Sequence, residues 1–268
     1  MKNTTEKFIW AEPRDTVSIE DCDFYHTMDI PNHGMVRGQW DLRGLETIYL
    51  GNVSFQGKRV LEIGTASGHL CFAMEKMGAD VVAYDLSEEQ EWDIIPYAGN
   101  DIKECISEHK KYLRRMNNGF WFAHKAFNSS AKVVYGTVYE IPDSIGQFDI
   151  CTFCSILLHL RDPFLALQRA TAHVKETVIV TDVVPKFRGK LLSIAEFITG
   201  SRLIRFIPNA KKRWPLETWW NLSPRLVLEF LQILGFEHTE ISFYRQKYNN
   251  EKIRMYTIVG HRNKPYTR

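Results

Sequence analysis

The chain has no apolar run near the ~18 residues that cross a bilayer, and Met1 to Lys7 lack a signal-peptide core. A soluble, cytoplasmic protein is expected. A disulfide framework is missing too. The five cysteines, Cys22, Cys71, Cys105, Cys151 and Cys154, are odd in number and scattered, as reduced thiols are. Cys151 and Cys154 have the spacing of a redox or metal pair. They lie in an apolar run, however, and no second ligand pair has metal spacing, so no metal is expected. Net charge is nearly absent: a formal +2 argues for no particular partner and leaves only local patches to do so. Internal repeats and low-complexity tracts are also missing. An apolar fraction of 44% suits one large domain, or one with an inserted cap.

Residues 1–50 mix polar, aromatic and turn residues without sustained periodicity. Two parts stand out, Phe24 to Pro31 and a glycine-bearing stretch from Gly34 to Gly44 around Gln39, Trp40 and Asp41. Such a segment builds no core alone and is expected to wrap the main domain (51–262) as an arm or cap over its site, with 263–268 as a tail. From Lys58 the chain alternates. Strands are predicted at Arg59–Ile63, Asp80–Asp85, Lys132–Tyr135, Phe148–Phe153 and Thr177–Asp182, and helices at His69–Lys76, Ile102–Met116, Gly119–Phe127 and Pro163–His173. Alternation of this kind implies an α/β fold, with a parallel sheet, right-handed crossovers and helices on both faces.

After Asp182 the alternation breaks. An insertion at about 185–222 is apolar and basic, carrying Lys186, Arg188, Lys190, Arg202, Arg205, Lys211, Lys212 and Arg213 against Glu196; it is expected to be a helical lid. Ser223 and Pro224 then suit a helix start and Gly235 its stop. Phe236–Tyr244 and Arg254–Gly260 read as a closing antiparallel hairpin.

The organising stretch is Arg59 to Gly68. An apolar strand ends in Glu62 and Ile63, turns through Gly64 and Gly68, and opens a helix, so that a ligand can approach backbone at a helix N-terminus. Seventeen residues past Gly68, a second apolar run ends in Asp85, where an acid can hold a ribose diol. The glycine pattern of a nicotinamide pyrophosphate site is not met. A nucleoside sulfonium, held by backbone and carboxylates, is the alternative.

Here the chain resembles the class I S-adenosylmethionine (SAM)-dependent methyltransferases. Glu62, Gly64 and Gly68 match their first motif, with Ala66 at its middle glycine. Asp85 matches the ribose acid, and Gly136, Thr137 and Val138 match the step where adenine is held, with Thr137 in place of an acid. Phe148 to Ile150, followed by Ser155 to Pro163, matches the fourth-strand motif. The resemblance implies a Rossmann-like, doubly wound seven-stranded sheet. It also implies a SAM site made by Glu62, Gly64, Thr65, Ala66, Gly68, Asp85, Leu86, Thr137, Val138, Cys154 and Ser155. A narrower similarity, through Tyr25 to Thr27, Gly38 to Asp41, Leu157 to His159 and Arg161 to Pro163, is to proteins related to tRNA wobble-uridine (carboxy)methyltransferases. It implies that Tyr25, Gln39 and Trp40 close the cofactor site. Leu158 stands where that subgroup has tyrosine, and the extra domain of the carboxymethyltransferases is missing, so the RNA substrate is not carried over.

In methyl transfer the cofactor supplies the electrophile and the protein aligns the acceptor. A base is needed only for an acceptor that must lose a proton early. His159, after the fourth strand, is the candidate base, against a structural or cofactor-positioning role. Trp121 and His124, on an aromatic helix, are acceptor-binding candidates or else core or lid. Trp214 and Trp219 could floor an acceptor pocket or hold a cation, or simply pack a lid together with Trp220. The basic insertion could meet RNA phosphate, an anionic acceptor or a membrane interface, or be a solvated face. The function expected is SAM-dependent methylation, on O or N, of a small molecule in a biosynthetic pathway. A tRNA methyltransferase is the second reading, and a SAM-binding protein without turnover the third.

Overall fold

In the computed structural model the residues described are 10–14, 18–185, 202–249 and 251–262. The N-terminal segment forms a small antiparallel pair, β1 (Met28–Ile30) and β2 (Gly34–Val36), then a two-residue strand β3 (Trp40–Asp41) and a short helix α1 (Glu46–Tyr49). The central elements follow as β4 (Arg59–Ile63), α2 (His69–Lys76), β5 (Asp80–Asp85), α3 (Ile102–Phe127), β6 (Lys132–Tyr135), β7 (Phe148–Cys154), α4 (Pro163–Thr171) and β8 (Val174–Val183). Beyond them come β9 (Ile204–Phe206), β10 (Trp220–Leu222), α5 (Pro224–Ile233), β11 (His238–Tyr248) and β12 (Glu251–His261).

The main sheet runs β3-β11-β12-β8-β7-β4-β5-β6, with the five strands from β8 to β6 parallel and β12, β11 and β3 added antiparallel. From β4 the chain winds outward through β5 and β6, then returns to the other side of β4 as β7. That reversal opens a crevice beyond the carboxyl ends of β4 and β7, where open α/β sheets take their ligands. Alternating side chains feed two cores, one on each face. Val81 and Ala83 join Leu70, Phe72 and Phe120 on one side, while Val82 and Tyr84 join Phe148, Phe153 and Leu231 on the other.

Several expectations are corrected. Among the described residues the sheet has eight strands, because Trp40 and Asp41 of the N-terminal segment pair with Tyr248 and Lys247 at its edge. Two helices predicted on either side of Asn117 and Asn118 are one, α3. Asp101 caps it by accepting the N–H groups of Lys103 and Glu104, and Asn128 closes it in the left-handed region. Gly119 is therefore no breaker. A Cβ there would stand 2.3 Å from the Asp23 carbonyl oxygen, so glycine lets the N-terminal segment lie against the helix. The described part of the insertion (202–222) is not helical either: β9 and β10 pair antiparallel, Phe206 opposite Trp220. Lys186, Arg188, Lys190 and Glu196 lie outside the described residues. The strands expected at Thr177–Asp182 and Arg254–Gly260 are present and longer, and the one expected at Phe236–Tyr244 is shifted, running from His238 to Tyr248.

Candidate active site

The turn after β4 is tightened by a residue far along the chain. Both oxygens of Asp85 are hydrogen-bonded, Oδ2 to the Ala66 N–H and Oδ1 to the Leu86 N–H, each at 2.7 Å. Burial pushes the carboxyl up to about 6, although these two N–H groups pull the other way. Ala66 has φ +49, a left-handed conformation that a glycine would hold with less strain. Gly64 (φ +78) also needs its lack of a side chain, since a Cβ would lie 2.8 Å from Ile156 Cδ1 across the crevice.

Glu62 is the second acid, 2% exposed. Its Oε2 is buried with no hydrogen-bond partner among the described residues, and desolvation pushes its pKa up to about 8. An unmatched buried carboxylate oxygen costs stability unless a donor or a cation meets it.

Both acids line one cavity of about 1380 Å³, together with Gly64, Ala66, Leu86, Thr137, Val138, Cys154 and Ser155. Tyr25, Gln39 and Trp40 line it from the N-terminal segment. The segment is fastened there by Ser67, whose Oγ accepts the Tyr25 N–H at 3.1 Å, while Trp40 Nε1 donates to the Tyr25 hydroxyl. Thr65 and Gly68 do not line the cavity. Gly68 precedes α2 at φ +87, where a Cβ would strike the Phe72 ring at 2.6 Å. The donor set fits a cationic nucleoside such as SAM: a ribose-type acid, a second buried acid with an unused oxygen, and glycine backbone without side chains in the way. When bound, SAM supplies an electrophilic methyl group on a sulfonium.

His159 lies in a 3-10 turn, Leu157–His159, that follows β7, and it lines the same cavity. Its Nδ1 is 2.7 Å from the Glu217 carbonyl oxygen. A carbonyl only accepts, so Nδ1 carries the proton and Nε2 keeps its lone pair. Burial lowers the pKa and keeps the ring neutral. Such a ring is arranged to accept a proton at Nε2.

The other sequence candidates divide. Trp214 lines the cavity and is 61% exposed. Trp219, Trp121 and His124 do not line it. Trp121 is 3% exposed and donates to the Tyr135 hydroxyl, His124 Nε2 meets the Ala131 carbonyl, and both pack with Phe120. Trp219 packs with Ile95 and Tyr97 and donates to the Asp93 carbonyl. Trp121 and Trp219 are buried and His124 is half-buried, and each meets a neighbouring group through one ring nitrogen. Four residues that the sequence reading missed do line the cavity: Trp92, His109, Tyr112 and Glu217. On α3 the signal was present. His109, Tyr112, Leu113, Met116 and Asn117 follow helical spacing and all line the cavity.

Comparison with known proteins gives the family. A family profile described as "Methyltransferase domain" matches residues 43–245. A ubiquinone biosynthesis O-methyltransferase of Azorhizobium caulinodans is 25% identical over 70% of this chain and 62% of its own. Its counterpart from Methylococcus capsulatus is 26% identical over 63% of this chain and 65% of its own. The chain thus spans less than two thirds of either relative. Among solved structures, the N-terminal domain of EvdMO1, crystallised in the presence of SAH and D-fucose, superposes with a TM-score of 0.55 at 16% identity. That match covers 91% of this chain and 93% of the other, a likeness of fold alone.

Proposed function

The chain belongs to the methyltransferase domain family, and from that premise we propose that it transfers the methyl group of SAM to a hydroxyl oxygen of a small biosynthetic intermediate. One observation carries this reading: Glu62, Gly64 and Asp85 line the same cavity as His159, whose Nε2 holds a lone pair. In the proposed reaction Asp85 holds the ribose hydroxyls and Glu62 meets a donor of the cofactor. Leu86, Thr137 and Val138 border the base, and Tyr25, Gln39 and Trp40 close the N-terminal side. His159 accepts the acceptor's hydroxyl proton at Nε2 while its Nδ1–H stays on the Glu217 carbonyl. A general base of this kind contributes typically 10²–10⁴-fold.

Oxygen is favoured for two reasons. An amine needs no base, whereas this histidine is held neutral and in the basic tautomer. The two curated relatives are named as O-methyltransferases. Trp92 and Tyr112, whose rings lie 6.2 Å apart at 30°, together with Trp214, give the cavity flat apolar walls suited to an aromatic or other planar acceptor. The test is calorimetric titration with SAM and S-adenosylhomocysteine, then a methyl-transfer assay against a panel of phenols, sugar hydroxyls and amines. No binding of either nucleoside would end the reading; turnover confined to amines would end the choice of oxygen.

The exposed basic residues Arg202, Lys211, Lys212 and Arg213 favour a second reading, a tRNA acceptor, in line with the wobble-uridine-like motifs. Filter binding at rising salt separates the two. Steep salt dependence supports RNA, and no tRNA binding removes it.

A further inference from the structure

We infer that His109 and Glu217 are positioning residues for His159: Glu217 works as a joint whose main-chain oxygen orients the base and whose carboxylate is clamped by His109. The inference deepens the proposed reaction and rests on His159 being its base. Three distant parts of the chain meet here. His159 comes from the turn after β7, His109 from the N-terminal third of α3, and Glu217 from the stretch that leads into β10.

The hydrogen-bond partners assign the protons. His109 Nε2 is 2.7 Å from Glu217 Oε2, and its Nδ1 is 2.8 Å from the Cys105 carbonyl one turn back on α3. Both partners are acceptors when Glu217 is ionised. An imidazole satisfies two acceptors only with both nitrogens protonated, so His109 is an imidazolium paired with a carboxylate. In agreement, the hydrogen bond to Glu217 holds the His109 pKa above its ordinary value, and His109 holds Glu217 below its own. His159, against the same residue, meets a carbonyl at Nδ1 and is buried, which makes it neutral. One glutamate thus faces two histidines in opposite protonation states, the separation expected of a structural cation beside a base.

Any residue has a main-chain oxygen, so what the chain must specify is where this one stands. The stretch is fixed on both sides of Glu217. The Ile95 N–H donates to the Leu216 carbonyl at 2.8 Å, and the Trp219 N–H to the Leu158 carbonyl at 2.9 Å. Those bonds set height and direction, and the His109 clamp sets the remaining rotation about Glu217. The groups facing His109 from its surroundings are Glu217 and the Trp92 ring, nearly perpendicular to it with centroids 5.4 Å apart. The Tyr112 ring lies 6.2 Å from that of Trp92, and Glu91, Asp93 and Glu108 line the same cavity. With the clamp undone the carbonyl is no longer held against Nδ1. Then the Nε2–H tautomer, which cannot accept a proton at Nε2, becomes populated.

The readout is long-range ¹H–¹⁵N NMR of the full chain labelled at histidine, which needs no acceptor. At pH 7 the wild type should show His159 neutral with a protonated Nδ1, and His109 with two protonated nitrogens. In His109→Gln and Glu217→Gln the His159 signals should move toward a tautomer mixture, although each variant keeps the main-chain oxygen of residue 217. An unchanged His159 tautomer in both variants, or a neutral wild-type His109 at pH 7, overturns the inference. Should a variant not fold, the wild-type His109 signal alone decides. Once an acceptor is found, kcat should fall about tenfold in His109→Gln with KM within twofold; a change in KM alone would count against positioning. If no acceptor is ever methylated the reaction fails, but the tautomer result stands or falls by itself.

Discussion

The Asp85 carboxylate receives the Ala66 N–H at 2.7 Å across nineteen residues, tying the end of β5 to the turn that follows β4. The acid therefore has two tasks in the proposed reaction, to shape the turn and to face the ribose. Asp85→Ala removes both, and SAM affinity should fall at least tenfold, about 1.4 kcal/mol. Calorimetry checks this, and unchanged affinity would displace Asp85 from the cofactor site.

The pH dependence of cofactor binding follows from the same acids. Asp85 at about 6 and Glu62 at about 8 are partly protonated in the ligand-free protein near neutrality. A cationic nucleoside prefers their ionised forms, so SAM affinity should rise between pH 5.5 and 8, with proton release on binding. The contribution of these two acids to the stability of the ligand-free protein has the opposite slope. Folded pKa values raised above the unfolded ones favour the folded state at low pH, and that contribution is lost as pH climbs from about 4 to 8. Glu62→Gln should flatten the upper part of that loss in thermal unfolding. A difference in Tm between the wild type and Glu62→Gln that stays constant from pH 5 to 8 would contradict the assignment.

Ala66 holds φ +49 where the family motif has glycine. Ala66→Gly should relieve left-handed strain of roughly 1–2 kcal/mol, less the backbone entropy that glycine adds in the unfolded chain. The expected net is a Tm gain of a few degrees, with the Asp85 hydrogen bond intact.

Gly119 predicts the reverse. Gly119→Ala puts a methyl group against the Asp23 carbonyl, and should cost about 1–3 kcal/mol by overpacking. Because the displaced element carries Tyr25 and Trp40, SAM affinity should fall with it. Denaturant unfolding and calorimetry on one sample measure both.

The tryptophans separate packing from site. Trp121→Ala should destabilise by about 3–5 kcal/mol, as emptied core positions do. Trp214→Ala, at an exposed position, should leave the midpoint almost unchanged and raise KM for the acceptor. A large stability loss at Trp214 would contradict its place at the cavity wall.

What the sequence determined by itself was local. Continuous apolar runs bounded by glycine or charge carried β4, β5 and β6 to the residue, and the glycine turn before it carried α2. The glycine turn and its two acids were equally legible, since a tight backbone approach restricts which residues can stand there. Tertiary structure decided whatever depends on distant partners. Gly119 reads as the start of a second helix until α3 is seen to run through it against Asp23, and Trp121 and His124 read as candidate site residues until Trp121 Nε1 and His124 Nε2 are found bonded to Tyr135 and Ala131. The acceptor side is the fullest case. His109, His159 and Glu217 are far apart in the chain, and no spacing rule links them. Only the winding of the sheet and the return of the insertion over its carboxyl edge bring one glutamate between two histidines, and that contact, not the residue types, separates their protons.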